Sequence, residues 1–128
     1  MIQAPRSDCL RGCRVLVLED EYLLADDLKQ ALTLRGAAVV GPIGNLAEAS
    51  EQVGRDGFDV AVIDVNLNGK TAYAIADQLD CKGIPFVFTT GYSKEVIPAR
   101  FRNVIRWEKP YNPEQIICDV AKLCPMPS

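Results

Sequence analysis

From Val60 to Lys70 the chain reads VAVIDVNLNGK, and the first four of these residues narrow the choice of folds most. Residues 60–63 form a short, β-branched apolar run without the polar alternation of a strand that faces water on one side. Such a run reads as a strand covered on both faces, the kind found in parallel sheets flanked by helices. Asp64 arrives where that strand should end, followed by an Asn/Gly turn. Open α/β sheets carry their reactive groups outside the carboxyl ends of the strands, which makes Asp64 a candidate for chemistry. Taken alone, it reads equally well as a turn former or a helix cap.

The rest of the chain repeats the pattern. Residues 14–18 (RVLVL) form a first buried strand ending in Glu19, Asp20 and Glu21. Leu24, Leu28, Ala31 and Leu32 then recur at helical spacing over 22–35, with Gly36 suited to the position past the helix end. Residues 37–43 predict a second strand, interrupted by Gly41 and Pro42 and therefore at the sheet edge. Asn45 and Glu48 form a cap pair for a helix ending near Val53. After the central strand, Ala72, Ile75, Ala76 and Leu79 predict a helix over 71–82, stopped by Gly83. Residues 85–89 predict the fourth strand, followed by Thr90, Gly91 and Tyr92. A short helix is expected after Ser93, limited by Pro98. Residues 104–107 predict a fifth strand ahead of Lys109 and Pro110. The last helix has Asn112 as cap, Pro113 at its first position, and Ile116, Ile117, Val120 and Leu123 on its inner face. Alternating strands and helices require crossover connections, hence a parallel sheet with helices on both faces, an α/β three-layer sandwich. The expected division is a leader over 1–13, one domain over 14–124 and a tail over 125–128.

Composition mainly excludes. A chain of 128 residues supports one core. No apolar run approaches the ~20 residues of a membrane span, the N-terminus lacks a signal-peptide apolar region, and a net charge of −3 gives no basic surface for nucleic acid. The expected location is the cytoplasm, with no membrane and no direct nucleic-acid partner. Histidine is absent, so Ser/His/Asp triads and His-containing zinc sites are unavailable, and any phosphohistidine must come from another molecule. The five cysteines, Cys9, Cys13, Cys81, Cys118 and Cys124, lack zinc-ribbon spacing. Cys118 and Cys124 lie about 240° apart around a helix axis, so a shared metal is not expected. Reduced, mostly buried thiols are the expected state.

In this architecture the ends of strands one, three, four and five face the same side and deliver Glu19 and Asp20, then Asp64, Thr90 and Lys109. Each residue alone has an ordinary explanation: a solvated acidic loop, a strand-end hydroxyl, an exposed turn lysine. Gathered together, the carboxylates would repel one another without a cation, and an all-oxygen set without histidine points to Mg2+. With a reference pKa of ~3.9, Asp64 is ionised and can attack a phosphoryl group without a general base. Mg2+ on Asp20 and Asp64, together with Lys109 and the Thr90 hydroxyl, would then stabilise the transferring group.

The stretches LEDE, VIDVNLNG, FTTGY and EKPY, in this order and spacing, resemble the motifs of two-component response-regulator receiver domains over about residues 14–124. The resemblance implies a flavodoxin-like sheet of order 2-1-3-4-5. It also implies that Asp64 is the phosphoacceptor, that Asp20 and the backbone carbonyl of Asn66 bind Mg2+, and that Glu19 acts on the metal through water. The implied partners are a sensor histidine kinase or histidine phosphotransfer protein, and a downstream protein that the sequence does not identify. A receiver promotes its own phosphorylation and dephosphorylation and is not a turnover enzyme.

Three departures stand out. Leu67-Asn68 replaces the usual Met-Pro, FTTGY is similar to a Phe-x-Thr-Gly-Tyr subgroup containing many single-domain receivers, and Arg106 occupies the place of the switch aromatic. Burying an unpaired guanidinium is expensive, so Arg106 is expected outside. Two alternatives remain: a phosphorylation-independent adaptor, and an aspartyl-phosphate phosphatase of the haloacid dehalogenase type. The latter would usually carry a second Asp where this chain has Asn66.

Overall fold

The computed structural model describes residues 8–91 and 97–125. Its elements are β1 (Arg14–Leu18), α1 (Tyr22–Leu34), β2 (Ala38–Ile43), α2 (Leu46–Arg55), β3 (Val60–Asp64), β4 (Asn66–Leu67), β5 (Lys70–Thr71), α3 (Tyr73–Cys81), β6 (Phe86–Thr90), β7 (Arg106–Glu108) and α4 (Pro113–Leu123). The main sheet has order β2-β1-β3-β6-β7, and all its pairings are parallel. Leaving out the two-residue strands β4 and β5, this is the expected 2-1-3-4-5.

Strand periodicity sorts the core into two layers. Leu16, Leu18, Ala61, Ile63, Phe86 and Phe88 pack against α2 and α3 through Ala49, Val53, Ile75, Ala76 and Leu79. Val15, Val17, Val60, Val62 and Val87 face α1 and α4 through Leu28, Leu32, Ile116, Ile117 and Val120. Every residue of β3 is buried because both faces are covered. Each fully buried Val, Leu or Ile contributes about 1.5–3 kcal/mol, so the layers themselves hold the strand ends in place. Asn45 caps α2 by accepting from the Glu48 amide at 2.8 Å, and Asn112 caps α4 by accepting from the Glu114 amide at 2.9 Å.

β2 is the sheet edge, as expected from Gly41-Pro42. Its register with β1 slips before the Leu18–Ile43 pair. Gly41 sits at φ +104°, where a Cβ would lie 2.8 Å from the Ile43 nitrogen and 2.9 Å from the Val17 carbonyl, so only glycine makes this bend. The fifth strand of the main sheet starts at Arg106 rather than at residue 104, since the Val104 amide is taken by a turn to the Phe101 carbonyl at 2.9 Å. Arg106 is exposed, as its charge requires. The expected helix start at Ser93, and Tyr92, lie outside the described residues. Beyond them the chain makes a single 3-10 turn, Ala99–Phe101, whose Phe101 packs edge-on to Phe88.

The expectation of reduced, mostly buried thiols is corrected by the structure. Cys13 and Cys124 are joined in a disulfide, while Cys9, Cys81 and Cys118 are free and exposed. The start of β1 and the end of α4 share one end of the α1/α4 layer, a proximity that sequence distance conceals. Leu10 and Cys13 are buried in that layer, so the expected division at Arg14 does not separate them from the core. The disulfide spans 111 residues of sequence, and closing a long loop stabilises by about 2–4 kcal/mol. Cys124→Ser, or reductant, is therefore expected to lower the urea midpoint. A midpoint insensitive to both would exclude a structural role. None of the helices among the described residues is long and apolar enough to cross a membrane.

Candidate functional site

The carboxyl ends of β1, β3 and β6, with the residue just after β7, meet at one edge of the sheet. Glu19 follows β1 and is held there by its amide, which donates to the Ile43 carbonyl at 3.0 Å. Asp64 closes β3, and Asn66 N–H donates to its Oδ1 at 3.0 Å, leaving Oδ2 turned toward Lys109. Both carboxylates are buried, Glu19 at 4% and Asp64 at 3% exposure. Lys109 Nζ donates to Asp64 Oδ2 at 2.8 Å, to Glu19 Oε2 at 3.1 Å and to Glu21 Oε1 at 2.7 Å. Its backbone N–H donates to the Thr90 carbonyl at 2.8 Å, which ties the lysine to the end of β6. Of the two adjacent threonines, Thr90 continues the Phe86–Phe88 face by strand alternation, and Thr89 continues that of Val87.

The loop after Asp64 is braced by contacts that residue type and spacing do not reveal. Asn68 adopts φ +52°, its N–H donates to Asp20 Oδ2 at 2.8 Å, and its side-chain amide donates to the Gly44 carbonyl at 2.9 Å. Asn66 Oδ1 accepts from the Gly69 amide at 2.9 Å. Leu67 is buried in the α2/α3 layer. The Leu67-Asn68 departure thus plugs the loop into the core and steadies Asp20. Spacing gives no sign either that Glu21 is a partner of Lys109. A residue just past a strand and ahead of a helix looks like an ordinary cap, and nothing in one dimension shows that residue 109 returns to it.

All six expected site residues converge here. Glu19, Asp20 and Asp64 offer oxygens that lie within 4.8 Å of one another. One lysine charge faces this set and Glu21, leaving a net negative, all-oxygen cluster that fits a hard divalent cation such as Mg2+. A second close trio, Cys13, Asp59 and Cys124, is not a comparable site. Its sulfurs are bonded to each other, and Asp59 is occupied by Arg14.

Burial, and then the charge of Asp64, push the Glu19 carboxyl up from 4.5 to about 7. Burial alone would lower the Lys109 ammonium, but hydrogen bonds to Asp64 and Glu21 and the charges of Asp64 and Glu19 hold it above its ordinary range. A carboxyl raised in the folded state adds stability when protonated. That contribution is complete below pH 4.5 and is lost as pH rises through about 7. In divalent-free buffer the wild type should therefore gain thermal stability over Glu19→Gln as pH falls from 7 toward 5. A difference between the two midpoints that stays constant over that window would refute the buried-carboxyl assignment.

A family model described as the response regulator receiver domain matches residues 15–121. The chain belongs to that family. The receiver resembles the solution structure of SdrG from Sphingomonas melonis Fr1 at 34% identity and a TM-score of 0.77, over 90% of this chain and 97% of that one. It also resembles the BeF3-activated conformation of SdrG from Pseudomonas melonis Fr1, at 34% identity and a TM-score of 0.71, over 86% and 95% of the two chains. The response regulator PhyR from Brucella abortus shares the fold at 20% identity and a TM-score of 0.73, over 94% of this receiver and 52% of PhyR. No curated protein matches the sequence significantly. Receivers generally accept phosphoryl groups in two-component signalling and generally bind Mg2+ in an acidic pocket of this kind.

Proposed function

We propose that Asp64 accepts a phosphoryl group from the phosphohistidine of a sensor kinase or histidine phosphotransfer protein, and that the phosphorylated receiver signals by binding another protein. The observation that carries this reading is Asp64 itself, a buried carboxylate with one oxygen held by Asn66 N–H and the other 2.8 Å from Lys109 Nζ. An Asp64 oxygen attacks phosphorus, the P–N bond breaks, and the imidazole leaves with the bonding pair. Lys109 then donates to a phosphoryl oxygen, and Thr90 offers its hydroxyl from the end of β6. Glu19, Asp20, Asp64 and the Asn66 carbonyl would hold Mg2+, which supplies charge neutralisation at the phosphoryl oxygens.

The phosphoryl group ends on the chain itself, so no external substrate is turned over. The phosphatase reading is disfavoured because Asn66 turns its Oδ1 into the loop toward Gly69, where a haloacid dehalogenase would need an acid. The adaptor reading leaves the saturated Lys109 pocket without a purpose. We place the protein in the cytoplasm, beside the catalytic parts of its kinases. Arg106, exposed on β7 and paired in register with Phe88, is positioned to contact the downstream partner. The test is intact-mass spectrometry after acetyl phosphate and Mg2+. One added phosphoryl group is expected, and none when a chelator is present from the start; no mass change with acetyl phosphate and Mg2+ would overturn the proposal.

A further inference from the structure

Glu21 has no part in the scheme above, yet it makes the shortest of the three contacts to Lys109, at 2.7 Å. It stands at the N-cap of α1 with extended backbone but forms no side-chain cap hydrogen bond. Its amide donates instead to Glu19 Oε2 at 3.1 Å. Its amide and side chain are thus turned into the site, and only its carbonyl serves the helix that it begins, accepting from the Ala25 amide at 2.9 Å.

An ammonium has three N–H donors, and Asp64, Glu19 and Glu21 fill all three. A phosphoryl group on Asp64 brings oxygens that need a donor, and Lys109 can supply one only by dropping a partner. Asp64 is the acceptor itself. Glu19 is pinned by the Glu21 amide and has a side chain only 2% exposed, whereas the Glu21 side chain is 62% exposed. Glu21 is therefore the contact that yields.

We propose that Glu21 is a positioning residue that brakes phosphorylation: it holds Lys109 away from the incoming group and places a negative charge at the entrance to the site. The inference rests on Asp64 being the acceptor. With acetyl phosphate as donor, an Asp64 oxygen attacks phosphorus and acetate leaves with the electron pair of the broken P–O bond. The brake acts on the approach of that anionic donor and on the release of Lys109.

The experiment measures initial phosphorylation rates of the full chain in saturating Mg2+ for wild type, Glu21→Gln and Glu21→Ser, with Asp64→Asn as control. Both Glu21 variants should be roughly two- to fivefold faster with acetyl phosphate at low salt, the range fitting an exposed charge interaction. The advantage should shrink in high salt, where exposed charges are screened, and with phosphoramidate, which carries less negative charge. A merely structural role would show neither dependence. Serine is a good N-cap, so Glu21→Ser remains folded and decides the matter even if the glutamine variant does not. Rates equal to or below wild type in the folded variants, with Asp64→Asn unlabelled, would overturn the brake alone. Labelling of Asp64→Asn at the wild-type rate would instead overturn the acceptor assignment beneath it.

Discussion

Asp64→Asn is expected to abolish phosphorylation by acetyl phosphate or a cognate kinase while leaving the protein folded. An amide carries no negative charge and cannot form the acyl phosphate, so the chemistry has no replacement within the site. The fold should survive because Lys109 keeps Glu19 and Glu21 as partners, and the amide oxygen can still accept from Asn66 N–H as Asp64 Oδ1 does. Removing one of two buried carboxylates also relieves the repulsion that helps raise Glu19, so thermal stability above pH 7 should be equal to or greater than that of wild type. Phosphate-affinity electrophoresis reads the first expectation and thermal melting the second. A shifted band of wild-type intensity in the mutant would remove Asp64 from its role.

The second large effect is on stability. Lys109→Ala takes away the cation from two buried carboxylates, and breaking a buried ion pair by removing one partner costs about 3–5 kcal/mol. The loss should be greatest above pH 7, where Glu19 is ionised. It should be partly recovered by acid, which neutralises that carboxyl, and by Mg2+, which replaces the missing charge in a set of oxygens already within 4.8 Å of one another. Some phosphorylation should persist because Asp64 remains. The phosphorylated variant should nonetheless lose the chemical-shift response beyond the site, since Lys109 links Asp64 to the end of β6. Urea unfolding at pH 8, with and without Mg2+, gives the test. A variant as stable as wild type in divalent-free buffer would mean that the lysine does not offset the buried carboxylates.

Local sequence decided more here than elsewhere in the molecule. The apolar run at 60–63 is a strand buried on both faces, Gly41-Pro42 puts β2 at the edge, and Asn45 and Asn112 cap the helices that follow them. The convergence of Glu19, Asp20, Asp64, Thr90 and Lys109 was also legible, because right-handed crossovers in a parallel sheet bring successive strand ends to one side. These features follow from short-range periodicity, from the steric needs of glycine and proline, and from one rule of handedness.

What the tertiary structure alone decided depends on residues distant in sequence arriving at a common point. In α1, Leu28 and Leu32 turn inward and Leu23 stays exposed as their spacing predicts, whereas the burial of Ala25 beside them is decided by packing. Cys13 finds Cys124 only because β1 and α4 share a layer, and five cysteines without ordered spacing contain no record of that. The Asn68 clamp on Asp20 and the Glu21 contact to Lys109 span 48 and 88 positions. Such pairings are set by where strand ends and loops come to rest against one another, and a hydrogen bond at 2.7 or 2.8 Å depends on that placement to within a fraction of an ångström, a scale that residue type and spacing do not encode.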